Sequence, residues 1–286
     1  MTEPANPTRM IETGTEDFSA EVSEGIAVLT LNRPDRRNAM SGAMLAGMQV
    51  ALADCATAPD VRCVVVTGTG GAFCAGGDVK GMAEGAAGAG GGGAVRVGSY
   101  DERVHQQRLD QRGTSGALWN MPKPTIAVLP GAAAGAGLSL ALACDLRVAV
   151  ESAVMTTAFA RVGFSGDYGG TWFLTQLVGP AKAKELYFLS SRLDMGQAAG
   201  LGLVNFVFAA ADLESGWRSI AGQLASGPSI AYRFMKENIN RAALGADVMD
   251  CMDLEVTHHQ HCGQTEDHRS AAQAFVDKRE PVFHGR

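Results

Sequence analysis

The stretches "VRCVVVTG" (61–68) and "TIAVLPG" (125–131) are β-branched runs without polar alternation, and each stops at a glycine. A strand that is apolar at consecutive positions has no face to give to water and must be covered on both sides. Parallel sheets flanked by crossover helices meet that requirement, whereas hairpins usually leave one face wet. "LRVAV" (146–150) and "GLVNFVF" (202–208) repeat the pattern, with helical stretches between them, so the chain reads as α/β with largely parallel strands. "FSAEVSEGIAVLTL" (18–31) alternates around Glu24-Gly25 and predicts a hairpin. "SGAMLAGMQVALADCA" (41–56) predicts a helix capped by Ser41.

Residues 1–16 are polar and Pro-bearing, without the apolar core of a signal peptide, and are expected to form a flexible N-terminal tail. Residues 17–209 form the expected α/β core, and 210–286 a C-terminal region of amphipathic helices that covers the core or a neighbouring subunit. The segment from Pro124 to Cys144 is uncharged and long enough for a membrane span. Pro130, Gly131, Gly135 and Gly137 break it, so strand, turn and buried helix are expected instead. The glycine tract at 84–98 is either a plain flexible linker or a lid over a site.

With 46% hydrophobic residues and 19% charged, the chain can bury a substantial core. Its net charge of −6 and the absence of a Lys/Arg block argue against nucleic acid or an anionic membrane as partner. The six cysteines form no CxxC pair, which implies free thiols in a reducing cytoplasm. Several motifs fail on inspection. A GxGxxG fingerprint starting at Gly68 would need glycine where Phe73 stands, so no nicotinamide site is expected. Ser139 lies in a broken G-x-S-x-G elbow whose last glycine is Ala141 and reads better as a packing residue. His258, His261 and Cys262 could share a helix face, but a solvated or interfacial face is the commoner explanation and no metal is expected.

Two turns, "GGAFCAGGDVK" (70–80) and "PGAAAGAGLSL" (130–140), each follow a buried strand and lead toward a helix. Either they are ordinary tight turns, or their amides converge on one carbonyl oxygen as an oxyanion hole.

"LTLNRPDRRNAM" (29–40), "GAFCAGGDVKGM" (71–82), "PKPTIAVLPGAAAGAGLSLALACDLRVA" (122–149), "FSGDYGGTWFLTQLVG" (164–179) and "AFVDKR" (274–279) together resemble the crotonase superfamily, the enoyl-CoA hydratase/isomerase group. The resemblance implies a spiral of ββα units with a C-terminal helical trimerisation region, assembled as a homotrimer or hexamer. It implies an acyl-CoA thioester substrate, with coenzyme A entering only as part of that thioester and no separate cofactor. Position by position, it places oxyanion amides at Ala75 and Ala136, and coenzyme A against Arg36, Arg37 and the backbone of Ala75, Gly76, Gly77, Asp78 and Val79. Phe275 and Lys278 match residues that reach the coenzyme A of a neighbouring subunit.

Hydratases of this group place glutamates where this chain has Ser139 and Phe159, so the usual means of activating water is missing. Between Gly131 and Trp172 the carboxylates are Asp145, Glu151 and Asp167. "D-x-G-G-T-W" from Asp167 resembles bacterial enoyl-CoA isomerases of the phenylacetate-degradation type, in which that aspartate shuttles the proton. The plainer alternative makes Asp167 a helix cap. The expected reaction is Δ3-Δ2 isomerisation, with Asp167 as acid/base in an acyl pocket formed by Ser139, Phe159, Phe164, Tyr168 and Trp172. The alternatives are hydration by a nonstandard arrangement, an acyl-CoA-binding protein with little activity, or a thioester hydrolase using Ser139.

Overall fold

The structure, a computed structural model, describes residues 8–78 and 98–286. The main sheet has seven strands among the described residues, in the order β1-β2-β3-β4-β6-β8-β10. The expected hairpin is β2 (Phe18–Ser23) and β3 (Ile26–Leu31), paired antiparallel. From β3 onward every pairing is parallel, through β4 (Cys63–Gly68), β6 (Thr125–Leu129), β8 (Leu146–Val150) and β10 (Phe206–Phe208). Both faces of the central strands are covered, as the apolar runs require, whereas the edge strand β10 leaves Phe206 and Val207 exposed. Val64 and Val66 pack into one cluster with Met44, Met48 and Leu52 of α1 (Gly42–Thr57), while Cys63 and Val65 pack into another with Trp217, Ala221 and Ala225 of a C-terminal helix. The α1 cap is the expected one, because Ser41 Oγ accepts from Met44 N.

A second, three-stranded sheet, β5-β7-β9, repeats the path of the first in miniature. Its strands are β5 (Ala72–Cys74), β7 (Ala132–Ala134) and β9 (Met155–Thr156), all paired in parallel. After β4, β6 and β8 in turn, the chain therefore crosses from the large sheet to the small one. The second and third crossings lead on to helices, which makes the spiral of ββα units. The segment Ala132–Ala134, which the sequence reading treated as part of a turn, is a strand. Three small residues carry no readable period, and the pairing with β5 and β9 decides their conformation. The uncharged segment 124–144 resolves into β6, β7 and the buried helix α4 (Ala136–Ala143), with α2 (Tyr100–Gly113) and α3 (Ser115–Trp119) preceding it.

The N-terminal boundary moves. The expected tail is anchored from Arg9, because β1 (Arg9–Met10) pairs with β2 and Arg9 bridges Asp60 at 2.7 Å and Asp54 at 3.0 Å. The first helix of the C-terminal region, Leu213–Ser226, supplies the Trp217, Ala221 and Ala225 cover of the main sheet, one of the two places expected for that region.

Burial pushes the thiols of Cys63, Cys74 and Cys144 up to about 12 and that of Cys55 to about 11. Because the thiolate is the reactive form, these four are expected to stay silent toward a disulfide reagent in native protein. All six should react after denaturation. Titration of any of the four in folded protein would contradict this packing.

Candidate active site

Apart from Ser139 the helix α4 is apolar all round, and each of its residues is buried. Such a helix can exist only inside the core, and its N-terminus is uncapped by any side chain. Ala136 is the first helical residue, so its N–H has no carbonyl one turn earlier to bind. The turn after β5 is pressed against this helix start. A Cβ on Gly76 would stand 2.8 Å from Ala134 O and 3.2 Å from Ala136 N, and Gly76 has φ +91°. A Cβ on Gly137 would collide with the Cys74 backbone. Glycine is therefore a steric requirement at both positions. The two turns do converge.

The amide assignment on the first turn needs correction. Ala75 N–H already donates to Arg37 O at 3.0 Å and is not available to a ligand. Gly77 N–H, two residues on, donates to no group among the described residues, and Gly77 pairs alongside Met40 in an isolated bridge. The local anchor is Asn38, fully buried at φ +57°. Its Nδ2 donates to Thr69 O and Ala72 O, both at 2.9 Å, and its Oδ1 accepts from Arg33 N. Arg33 in turn donates to Ala39 O and pairs with Asp78 at 3.2 Å. Asn38→Ala would strand these buried groups and is expected to cost about 2–4 kcal/mol, read by urea unfolding. A loss under 1 kcal/mol, on the order of a surface substitution, would contradict this anchoring.

Arg36 and Arg37 are exposed beside this turn, next to Ala75 and Gly76. Val79 and, apart from Gly98, the tract 84–98 lie outside the described residues. Phe275, 86% exposed, and Lys278 sit at the end of the last helix, Glu266–Val276, and face solvent in the single chain.

Ser139 is buried one turn into α4, and its Oγ donates to Gly135 O at 3.3 Å. No histidine or lysine partner is recorded for it among the described residues, so no activated nucleophile stands there. Phe159 is buried and stacks on Tyr187, with ring centroids 5.7 Å apart and planes 7° from parallel. Ser139, Phe159 and Tyr187 line one tight crevice with Leu138, Thr157 and Gly170. Tyr187 is a member that sequence reasoning missed, since nothing in its neighbourhood marks it.

Asp167 lies in the loop before α5 (Gly170–Leu189), partly buried, with its Oδ1 shielded from solvent. The helix α5 starts from Gly169, which has no side chain to cap it. The loop is held by Tyr168 N donating to Gln111 Oε1 at 2.8 Å and by Gly170 N donating to Asp167 O at 3.0 Å. The other two carboxylates are committed elsewhere. Asp145 accepts from Thr125 N and Oγ1 and from Lys236 Nζ, and Glu151 is exposed. Among the expected pocket walls, Tyr168 is buried, and Trp172 is half-buried edge-on against Trp119 and Phe173. Phe164 is 57% exposed and does not wall the site within this chain. The glycines around it let the loop turn outward there.

The sequence profile described as enoyl-CoA hydratase/isomerase matches residues 21–286. A protein of Rhodobacter capsulatus named probable enoyl-CoA hydratase is 36% identical over 267 residues, covering 93% of this chain and 97% of the relative. The 1,2-epoxyphenylacetyl-CoA isomerase of Escherichia coli is 33% identical over 272 residues, covering 95% of this chain and 99% of the relative. The crystal structure of an enoyl-CoA hydratase from Polaromonas sp. JS666 aligns with a TM-score of 0.84 at 32% identity, covering 93% of this chain and 99% of that one.

Proposed function

The chain belongs to the enoyl-CoA hydratase/isomerase family of the crotonase superfamily, and from that premise we propose that it moves a double bond from C3 to C2 of an enoyl-CoA. The reaction runs through an enolate, with Asp167 carrying the proton. The observation that supports this most is the filling of both glutamate positions by Ser139 and Phe159, packed around Tyr187 with no carboxylate of their own.

In this reading the thioester carbonyl oxygen sits between the N–H groups of Gly77 and Ala136. The Asp167 carboxylate removes a proton from C2 of the 3-enoyl thioester. The electron pair delocalises over the carbonyl and the C3=C4 bond, and the two amides hold the charge that gathers on oxygen. Protonated Asp167 then delivers the proton to C4, leaving C2=C3 and restoring the carboxylate. No water enters. Arg36, Arg37 and the backbone of 75–78 are the proposed contacts for coenzyme A, and Phe275 and Lys278 its contacts from an adjoining subunit.

The test is steady-state turnover of a medium-chain 3-enoyl-CoA, compared with hydration of the matching 2-enoyl-CoA. Isomerisation faster than hydration by at least about a hundredfold is expected, since water has no activated site. Comparable or dominant hydration would return the protein to the nonstandard hydratase reading, and tight binding without turnover to the binding-protein reading.

The adjoining subunit is itself part of the proposal. Helices Ser229–Ala243 and Val248–Gly263 bury no residue of their own within the chain. They leave Ile239, Met249, Met252 and Val256 exposed, and a patch of this kind marks an interface. Light scattering is expected to give three or six times the 29.8 kDa of one chain. A monomer mass at micromolar concentration would rule this out.

A further inference from the structure

The helix α5 is not straight. Gly179 has φ +75° and ψ 163°, and Pro180 follows it. Seventeen residues of continuous helix would put Tyr187 about 25 Å from Gly170. The break instead folds the second half back, so that Tyr187 and Gly170 line the same crevice. A Cβ on Gly170 would stand 2.8 Å from the Tyr187 hydroxyl and would collide with Ser139 Oγ. A Cβ on Gly166 would stand 3.0 Å from the Tyr187 ring and 3.4 Å from its hydroxyl. Asp167 sits between those two glycines. The phenol therefore lies directly under the loop that carries the carboxylate, with room only because residues 166 and 170 lack side chains.

The ring is fixed from below as well. Phe159 stacks on it, and Ser139 Oγ and the Tyr187 hydroxyl crowd the same space beside Gly170. Burial first, and the Asp167 charge second, hold the phenol well above its ordinary ionisation range. Tyr187 thus stays a neutral O–H dipole beside a carboxylate throughout the working pH range.

Resting on the assignment of Asp167 as the acid/base, we propose that Tyr187 is a positioning residue for the reaction. Its hydroxyl, seated between Ser139 and glycines 166 and 170, holds the Asp167 loop in register with α4 and steadies the ionised carboxylate. Ser139 then has a function other than chemistry, which is to pack beside that hydroxyl under Gly170.

Tyr187→Phe keeps the stack on Phe159 and removes only the O–H, so its melting temperature should stay close to that of the wild type. In the 3-enoyl-CoA assay its kcat is expected to fall about ten- to a hundredfold with KM little changed, as for a displaced catalytic group. The acid limb of its kcat–pH profile should move to higher pH, because an ionised acid that loses a neighbouring dipole binds its proton more tightly. Ser139→Ala should shift both quantities the same way by less. On an Asp167→Asn background, Tyr187→Phe should cost nothing further. Wild-type kcat and pH profile in Tyr187→Phe, with Asp167→Asn inactive, would overturn the role of Tyr187 and leave the isomerase reading standing. Full activity of Asp167→Asn would remove the isomerase reading and this inference with it.

Discussion

Asp167→Asn is expected to lower kcat for 3-enoyl-CoA isomerisation by about 10²–10⁴-fold, the range for loss of a positioned acid/base. The substituted side chain is isosteric, so folding and the register of the loop should survive. Substrate affinity should change by no more than a few-fold, because in the proposed mechanism coenzyme A and the thioester oxygen are held by other groups. A collapse of kcat with retained binding separates a chemical role from a structural one. The pH profile gives a second readout. The reaction starts with Asp167 ionised, so wild-type kcat should fall as pH drops through the carboxylate's pKa. The residual rate of the asparagine variant should lack that limb.

Gly76→Ala tests the other half of the mechanism. The added methyl would stand against Ala134 O at 2.8 Å and Ala136 N at 3.2 Å, on a residue whose φ of +91° suits glycine alone. Either the turn moves away from α4 or the start of α4 moves, and both separate the Gly77 and Ala136 amides. Removal of one oxyanion donor typically costs about 10²–10³ in kcat, and a loss of that size is expected here. Unfolding midpoints should fall as well, since the contact is part of the core. Gly71→Ala, where a Cβ would meet nothing within 4 Å, serves as the control for a positive-φ glycine away from the contact. Equal kcat losses in the two variants would show that backbone strain, rather than the meeting of the two turns, governs the effect.

The main sheet was legible because its central strands are apolar on consecutive positions, and β4 and β6 lie where "CVVVTG" and "TIAVL" predict them. The hairpin and the Ser41 cap were legible for equally local reasons: alternation, and a hydroxyl one residue before a helical period. The small sheet was not. Ala132–Ala134 carries no β propensity worth the name, and only its neighbours β5 and β9 make it a strand. Anchoring of the N-terminus through Arg9 was hidden for the same reason, since its partners Asp54 and Asp60 are remote in sequence.

In the site, Asp167 drew attention because few carboxylates occur in the segments flanking α4 and because its D-x-G-G-T-W context resembles that of bacterial enoyl-CoA isomerases. Choosing between Ala75 and Gly77 could not be done from "CAGGD". That choice depends on which amide the chain has already bonded, and the bond runs to Arg37, at the end of a different loop. Phe164 misled because aromatic identity says nothing about which way a glycine-flanked loop turns. Tyr187 was invisible because the break at Gly179-Pro180 brings it back to Gly170 only in three dimensions.

The most direct measurement of the central claim follows a 3-enoyl-CoA deuterated at C2 through turnover by the wild-type enzyme, with the product read by NMR. One carboxylate carrying the proton from C2 to C4 predicts a conjugated 2-enoyl-CoA, with deuterium detectable at C4 and no 3-hydroxyacyl-CoA. Formation of the 3-hydroxyacyl thioester as main product, or an isomer whose C4 never carries label in undeuterated water, would contradict a single-acid isomerase.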